Sequence, residues 1–294
     1  MKAGNKLAAV ILIIILMIPL AGTVFAEDIW ICEICGTENN GNFCGSCGME
    51  RKHTDFESAA APTEENRRES IIGFERSKKW YCLSCGAVVD TDFCTECGSR
   101  RDRSLAGSFV LFGAYEQDGE ESAAEADPID WIVLEYRGDK ALLISRYGLD
   151  CVRFNENEST GAWKDCTLRE WLNGKFLDVA FTADEQKHIC STRVSTDGED
   201  TFDRVFLLST DEAGKYFGSD AARKCTPSIQ AIANGVYVDP VTQCSWWWLR
   251  SPGDLDDFAA FVDVAGCIDC CGDNVIGADR MVRPALWIKL PDAD

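Results

Sequence analysis

The sequence contains one segment twice. "WICEICGTENNGNFCGSCGMER" and "WYCLSCGAVVDTDFCTECGSRR" lie fifty residues apart and align without a gap, pairing Trp30 with Trp80, Cys32 with Cys82, Phe43 with Phe93 and Cys47 with Cys97. Each copy has the spacing C-x2-C-x8-C-x2-C, and glycine follows every pair, at Gly36, Gly48, Gly86 and Gly98. Two cysteines separated by two residues can turn both sulfurs toward one ion. A following glycine takes positive φ cheaply, so backbone amides can point at the thiolates. Two such knuckles supply four sulfurs in tetrahedral array, the donor set that suits Zn²⁺. A module this short has almost no core, so a metal must supply its folding free energy.

The two segments resemble zinc ribbons of the double-zinc-ribbon type. The resemblance implies ligands Cys32, Cys35, Cys44 and Cys47 in the first module, and Cys82, Cys85, Cys94 and Cys97 in the second. Two structural zinc ions are expected. A disulfide framework is the alternative, because export favours oxidised cysteines.

Export is read from the N-terminus. Lys2 and Lys6 precede "LAAVILIIILMIPLAGTVFA", which is uncharged up to Glu27, and Pro19 with Val24-x-Ala26 matches a secretory signal peptide cleaved after Ala26. Its rival is an uncleaved anchor, since an apolar stretch of about 20 residues would just span a bilayer. Either reading places the remainder outside the cytoplasm, with membrane contact only through an uncleaved N-terminal segment. The expected layout is therefore signal peptide 1–26, ribbon 27–52, linker 53–78, ribbon 79–103 and a large domain 105–294. The linker composition suggests modules strung as beads on a tether.

Net charge is −20, and residues 105–294 carry 17 basic against 34 acidic groups. Nucleic acid is excluded as a partner, because phosphate recognition needs clustered Lys and Arg. In the large domain "IDWIVLEY", the "RGD" turn and "KALLISRY" read as a hairpin. Thr167 is expected to cap a helix through "CTLREWLNGKF", and Thr182/Glu185 and Ser209/Glu212 form capping boxes. "DRVFLLS" reads as a buried strand, and further strands are expected near Trp246–Arg250, Phe258–Val264 and Ala285–Leu290. The fold class is α+β, a mixture of short strands and short helices.

The ordered motifs "FGAYEQD", "PIDWIVL", "KALLISRYGLD", "WWLRSPG" and "VRPALWI" resemble the bacterial domain-of-unknown-function family numbered 6273, over about Phe109 to Leu290. Met281 replaces the glycine usual before the Val-Arg-Pro-Ala element, which puts the turn into the last strand in doubt. By weaker analogy the tail is similar to C-type-lectin-like folds, and fold alone does not give function.

In "CSWWWLRSPG" strand alternation gives Trp246, Trp248 and Arg250 one face, and Trp247 and Leu249 the other. Core is the expected role of the tryptophans; a ligand platform using Trp247 is the alternative. Arg250 is expected to bridge to Asp254, Asp256 or Asp257 across the loop. Those aspartates could instead hold Ca²⁺, although no EF-hand spacing appears. Arg283 is an anchor or a ligand contact. Cys267, Cys270 and Cys271 imitate half a metal site.

No catalytic motif is present, and His53 and His188 are the only histidines. The expected function is an exported, envelope-associated or secreted protein binding a protein or glycan at the cell surface. An enzyme of unrecognised type and a membrane-anchored structural protein are the alternatives.

Overall fold

The computed structural model describes residues 30–31, 38–39, 79–102, 105–119, 126–157, 160–196 and 199–290. The chain divides into two compact units, Met1–Arg51 and Lys52–Asp294. The signal segment, the cysteines Cys32, Cys35, Cys44 and Cys47, and the linker 53–78 lie outside the described residues. No helix among the described residues is long and apolar enough to cross a membrane.

In the first unit β1 (Trp30–Ile31) pairs antiparallel with β2 (Glu38–Asn39), in the register Trp30↔Asn39 and Ile31↔Glu38. In the second, β3 (Trp80–Tyr81) pairs with β4 (Val88–Val89) as Trp80↔Val89 and Tyr81↔Val88. The two registers coincide after a shift of fifty residues. The duplicated sequence thus pairs the strands Trp30–Ile31 and Trp80–Tyr81 in the same way.

The large domain is mostly β. Its first sheet has the order β15-β7-β6-β5, all antiparallel, from β5 (Phe109–Tyr115), β6 (Asp127–Arg137), β7 (Lys140–Ser145) and β15 (Ala285–Lys289). The expected hairpin is β6–β7, closed by Gly138-Asp139 between the paired Arg137 and Lys140, with Gly138 at φ +64°. The RGD arginine is held there by Glu135, at 2.8 Å, and by the Trp287 ring beneath it.

The second sheet has the order β13-β12-β11-β14-β8, from β8 (Asp150–Cys151), β11 (Trp247–Pro252), β12 (Phe258–Val262), β13 (Ile268–Asn274) and β14 (Met281–Val282). Only the β11–β14 pair is parallel. A separate hairpin joins β9 (Thr192–Thr196) to β10 (Glu199–Asp203). The chain passes from sheet to sheet twice, from β7 to β8 and from β14 to β15. Short helices fill the remaining faces, and one continuous core links both sheets.

Several local expectations hold. Thr182 and Ser209 cap their helices with Glu185 and Glu212 as reciprocal partners. Others need correction. Cys166, not Thr167, caps the helix Thr167–Trp171: its sulfur accepts from the Arg169 amide at 3.3 Å, while Thr167 is already inside the helix and its hydroxyl accepts from the Glu156 amide. That helix continues as a π turn, Leu172–Phe176. In "DRVFLLS" Asp203 closes β10, whereas the buried stretch Val205–Leu208 belongs to no ladder; its sheet-like contact is a bridge from Phe206 to Ala285. The tryptophan strand runs on through Ser251 to Pro252, with a bulge between Trp248 and Pro252.

Met281 does not disrupt the entry to the last strand. It is fully buried and pairs with Trp247 on one side and Cys151 on the other. The space comes from Gly148, where an added Cβ would lie 2.1 Å from the Met281 sulfur. A large residue in one segment is accommodated by the smallest residue in the facing one.

Gly148→Ala should therefore destabilise the domain by about 1–3 kcal/mol, the usual cost of overpacking. Adding Met281→Ala should recover part of that loss, so that the two changes are less than additive in urea unfolding. Additive losses would show that the two side chains do not share this space.

Candidate metal centre and loop groove

The four cysteines of the second module converge. Cys82 and Cys97 sulfurs are 3.6 Å apart, Cys85 and Cys94 sulfurs 3.5 Å, and all four lie within 4.8 Å of one another. Metal–sulfur bonds of about 2.3 Å in a tetrahedron require S···S separations of about 3.8 Å. The cluster can hold one metal ion.

Gly86 and Gly98 take the expected positive φ, +83° and +74°, but their own amides bond to the carbonyls of Cys82 and Cys94; the amides that reach sulfur include those of Ser84 and Cys85 at Cys82, and of Ala87 at Cys85. The thiols are unequal. Burial pushes Cys85 up to about 12, whereas hydrogen bonds from Ser99 pull the exposed Cys97 down to about 6.

This module is not a bead hanging free of the large domain. The Tyr81 amide donates to Gly107 O at 2.7 Å, and its buried hydroxyl donates to Ala222 O at 2.8 Å. The Gly218 amide donates to Leu83 O at 2.7 Å. Gly86 rests so close to Ala221 that a Cβ would meet its carbonyl oxygen at 2.7 Å. The knuckle that positions Cys82 and Cys85 is therefore the face that grips residues 218–222.

Trp247 leaves the ligand set. Both it and Trp248 are fully buried; Trp247 Nε1 donates to Arg223 O at 3.1 Å, and Trp248 packs edge-on to Phe154. Trp246 is half-buried and stacks on Tyr237. Arg283 is an anchor, 1% exposed, donating to Ser145 O and Arg223 O between the Phe217 and Trp247 rings.

Arg250 does not bridge to the loop aspartates. Its guanidinium turns under the strand to Glu212, the capping-box carboxylate, and to Leu207 O at 2.7 Å. Glu212 wins because it is fixed at a helix start directly below the strand, while Asp254 and Asp256 point outward and are exposed. Asp257 accepts from Asn274 Nδ2 at 3.0 Å. Asp254, Asp256 and Asp257 do not converge as a cation-binding group, and the acidic groups that do, Glu116, Asp118 and Asp127, lie elsewhere. The Ca²⁺ expectation loses its ligands.

Cys267, Cys270 and Cys271 are free and exposed, and form no metal cluster. A hydrogen bond to the Asp254 carboxylate raises the Cys271 thiol, and the charge of Asp263 raises Cys267.

Asp254 and Asp256 stand instead on the rim of a groove that sequence reasoning did not foresee. One lobe, of about 360 Å³, lies between Ala162–Lys164, the β9–β10 hairpin and Pro252–Asp256. A second, of about 370 Å³, continues past Thr196 and Gly253 to Thr210 and Asp211. The loop is pinned through its backbone: Gly253 N to Phe258 O at 2.8 Å, Asp254 N to Cys271 O at 2.8 Å, and Gly161 N to Asp256 O at 2.6 Å. Most hydroxyls of the walls are already used. Thr201 Oγ1 donates to buried Asp203, Thr196 Oγ1 accepts from Arg250, and Ser251 Oγ accepts from the Thr210 amide. The groove residues come from five separate segments, so no single motif could have signalled them.

A family model described as "Domain of unknown function (DUF6273)" matches residues 138–290. The chain belongs to this family. The match begins at Gly138, in the β6–β7 turn, and covers both strand crossings and the groove. Comparison with curated proteins and with solved structures finds no match. Nothing in the family description points to catalysis.

Because the metal-shaped knuckle grips residues 218–222, a chelator should lower the melting temperature of the large domain as well as expose the module to protease. Metal retention should also fall as pH falls, since protons compete for thiolates. Cys97 forms its thiolate above about 6, and Cys85, pushed up to about 12, loses its proton to solvent only when the ion displaces it. Calorimetry with and without chelator, and a metal titration across pH, check both. An unchanged large-domain transition after metal removal would refute the coupling.

Proposed function

We propose that the protein is an exported binding protein, in which cysteine-held zinc ions fold two small ribbons and the large domain presents a ligand groove at the cell surface. Zinc is favoured over other ions by an all-sulfur tetrahedral donor set, which leaves no open position for a reacting water. The role of the metal is thus structural, fixing the knuckle that clasps residues 218–222. The fold reading that accompanies this is C-type-lectin-like. It is supported by the tryptophan strand β11 lying beside β14, which leads through Arg283 into the terminal strand.

The observation that carries the binding reading is the groove with its pinned rim. Concave sites with a few outward polar groups on a rigid frame are the usual form of ligand sites. Neither lobe is lined by a histidine, and the carboxylates of the rim stand in water, which is poor for general acid–base work. The ligand is a protein or a glycan.

Two measurements test this. Native mass spectrometry of protein isolated from its own envelope should give a chain starting at Glu27 with two zinc ions; disulfide-linked ribbons would reject the metal reading. A photo-crosslinker at Asp256 should capture an envelope component that the same group at Asp178, exposed on a helix, does not. Equal capture at both positions would reject the groove as the binding site.

A further inference from the structure

We infer that the groove takes basic side chains, the lysines or arginines of an extended peptide segment. The inference rests on the groove being the binding site and adds its ligand class. The charges decide the sign. Asp254, Asp256 and Asp211 face the two lobes, together with Glu199, while the lining cation is Lys164, already 3.3 Å from Glu199. Of the cations behind the walls, Arg250 is buried and committed to Glu212, Leu207 O and Thr196 Oγ1, and Arg169 is committed to Asp203 and Lys164 O. An anionic ligand would find no free cation in the lining.

The hydrogen-bonding character agrees. The hydroxyls of Thr201, Ser251 and Thr196 are engaged within the protein. Thr196 and Ser251 accept in these bonds and keep an O–H to donate, but the charged groups on offer are carboxylates, which only accept. The ligand must bring donors. A sugar hydroxyl gives and takes hydrogen bonds but carries no charge, so it leaves the rim carboxylates without a counter-ion. An ammonium or guanidinium group has donors only.

The shape adds the stem. Between the carboxylates lie Ala162, Pro252 and Leu255, the last 55% exposed. An apolar strip ending in carboxylates matches a side chain with an aliphatic stem and a charged head. The lobes share Thr196, Pro252, Gly253 and Asp254, so they form one track. A track with an acidic group in each lobe suits two basic side chains of an extended segment. Because backbone hydrogen bonds hold Gly253, Asp254 and Gly161 in place, little ordering entropy opposes binding.

The test is titration calorimetry of the full chain, at low ionic strength, with a short peptide carrying a pair of lysines. Parallel arms use the same peptide with both lysines acetylated and a neutral chitin trisaccharide. The lysine peptide should bind, and acetylation should weaken it about tenfold or more. The double change Asp254→Asn/Asp256→Asn should weaken it by about tenfold, from two exposed pairs each worth up to about 1 kcal/mol. Asp178→Asn, which removes an exposed charge that lines neither lobe, should leave it unchanged and so separates local contacts from the overall negative field. Equal binding of the acetylated peptide or of the trisaccharide would overturn the cationic class while leaving the groove a binding site. Equal loss in Asp178→Asn would also overturn it. An absence of binding in every arm would remove the inference, and the crosslinking at Asp256 would still judge the groove separately.

Discussion

Arg283 occupies the place where the two sheets exchange strands, and most of the domain is organised around its burial. It sits between β14 and β15, where the chain leaves one sheet for the other. Among the described residues its hydrogen-bond partners are carbonyl oxygens, Ser145 O and Arg223 O, and its guanidinium lies over two aromatic rings. A buried cation without a carboxylate is tolerated only if fixed dipoles and ring faces replace its water. Here they come from four directions. Ser145 ends β7, the first strand to cross between sheets; Arg223 ends a short helix; Phe217 precedes it; Trp247 begins β11. Each must be in register for the cation to be solvated, so this one side chain makes the crossing cooperative.

The same segment, residues 217–223, is what the cysteine module clasps. Its inner side holds Arg283 and Trp247 through Phe217 and the Arg223 carbonyl, and its outer side receives Tyr81, Leu83 and Gly86. An ion held by the four sulfurs would in this way be joined to the core of a domain much larger than the module. In a domain of marginal stability, a clamp of a few kcal/mol on one segment is a large fraction of the whole. The first module carries Ile31 and Glu33 where the second has Tyr81 and Leu83. It lacks the hydroxyl that in the second module reaches Ala222 O.

Much of this was legible in the sequence, for reasons that can be named. The knuckles were legible because sulfur spacing and glycine are local, and the shared strand register follows directly from an ungapped repeat. The capping boxes at Thr182 and Ser209 and the β6–β7 hairpin were legible because each is settled within a few residues. Arg250 was not, because its choice between Glu212 and the loop aspartates depends on which helix start lies beneath β11. Gly148 and Met281 compensate across more than a hundred residues, so only their proximity reveals the match. "DRVFLLS" looks like a strand because it is apolar and buried, but burial does not require a ladder. The docking of the cysteine module rests on backbone carbonyls at 107 and 222, which no side-chain pattern announces.

The groove follows from the same distinction between local and assembled features. Its rim aspartates attract attention in sequence as a cation site, since carboxylates spaced closely along a loop resemble ligands. In space the loop splays them: Asp257 turns in to Asn274, while Asp254 and Asp256 turn out over a wall built by β9, β10 and Thr160–Lys164. Splayed carboxylates cannot surround one small ion, which needs six or more oxygens within about 2.5 Å. They can, however, address two separate cationic heads. Geometry thus converts an apparent metal motif into a surface that reads charge spread along a chain, and the excess of acid over base in this domain would raise the rate at which a basic segment arrives.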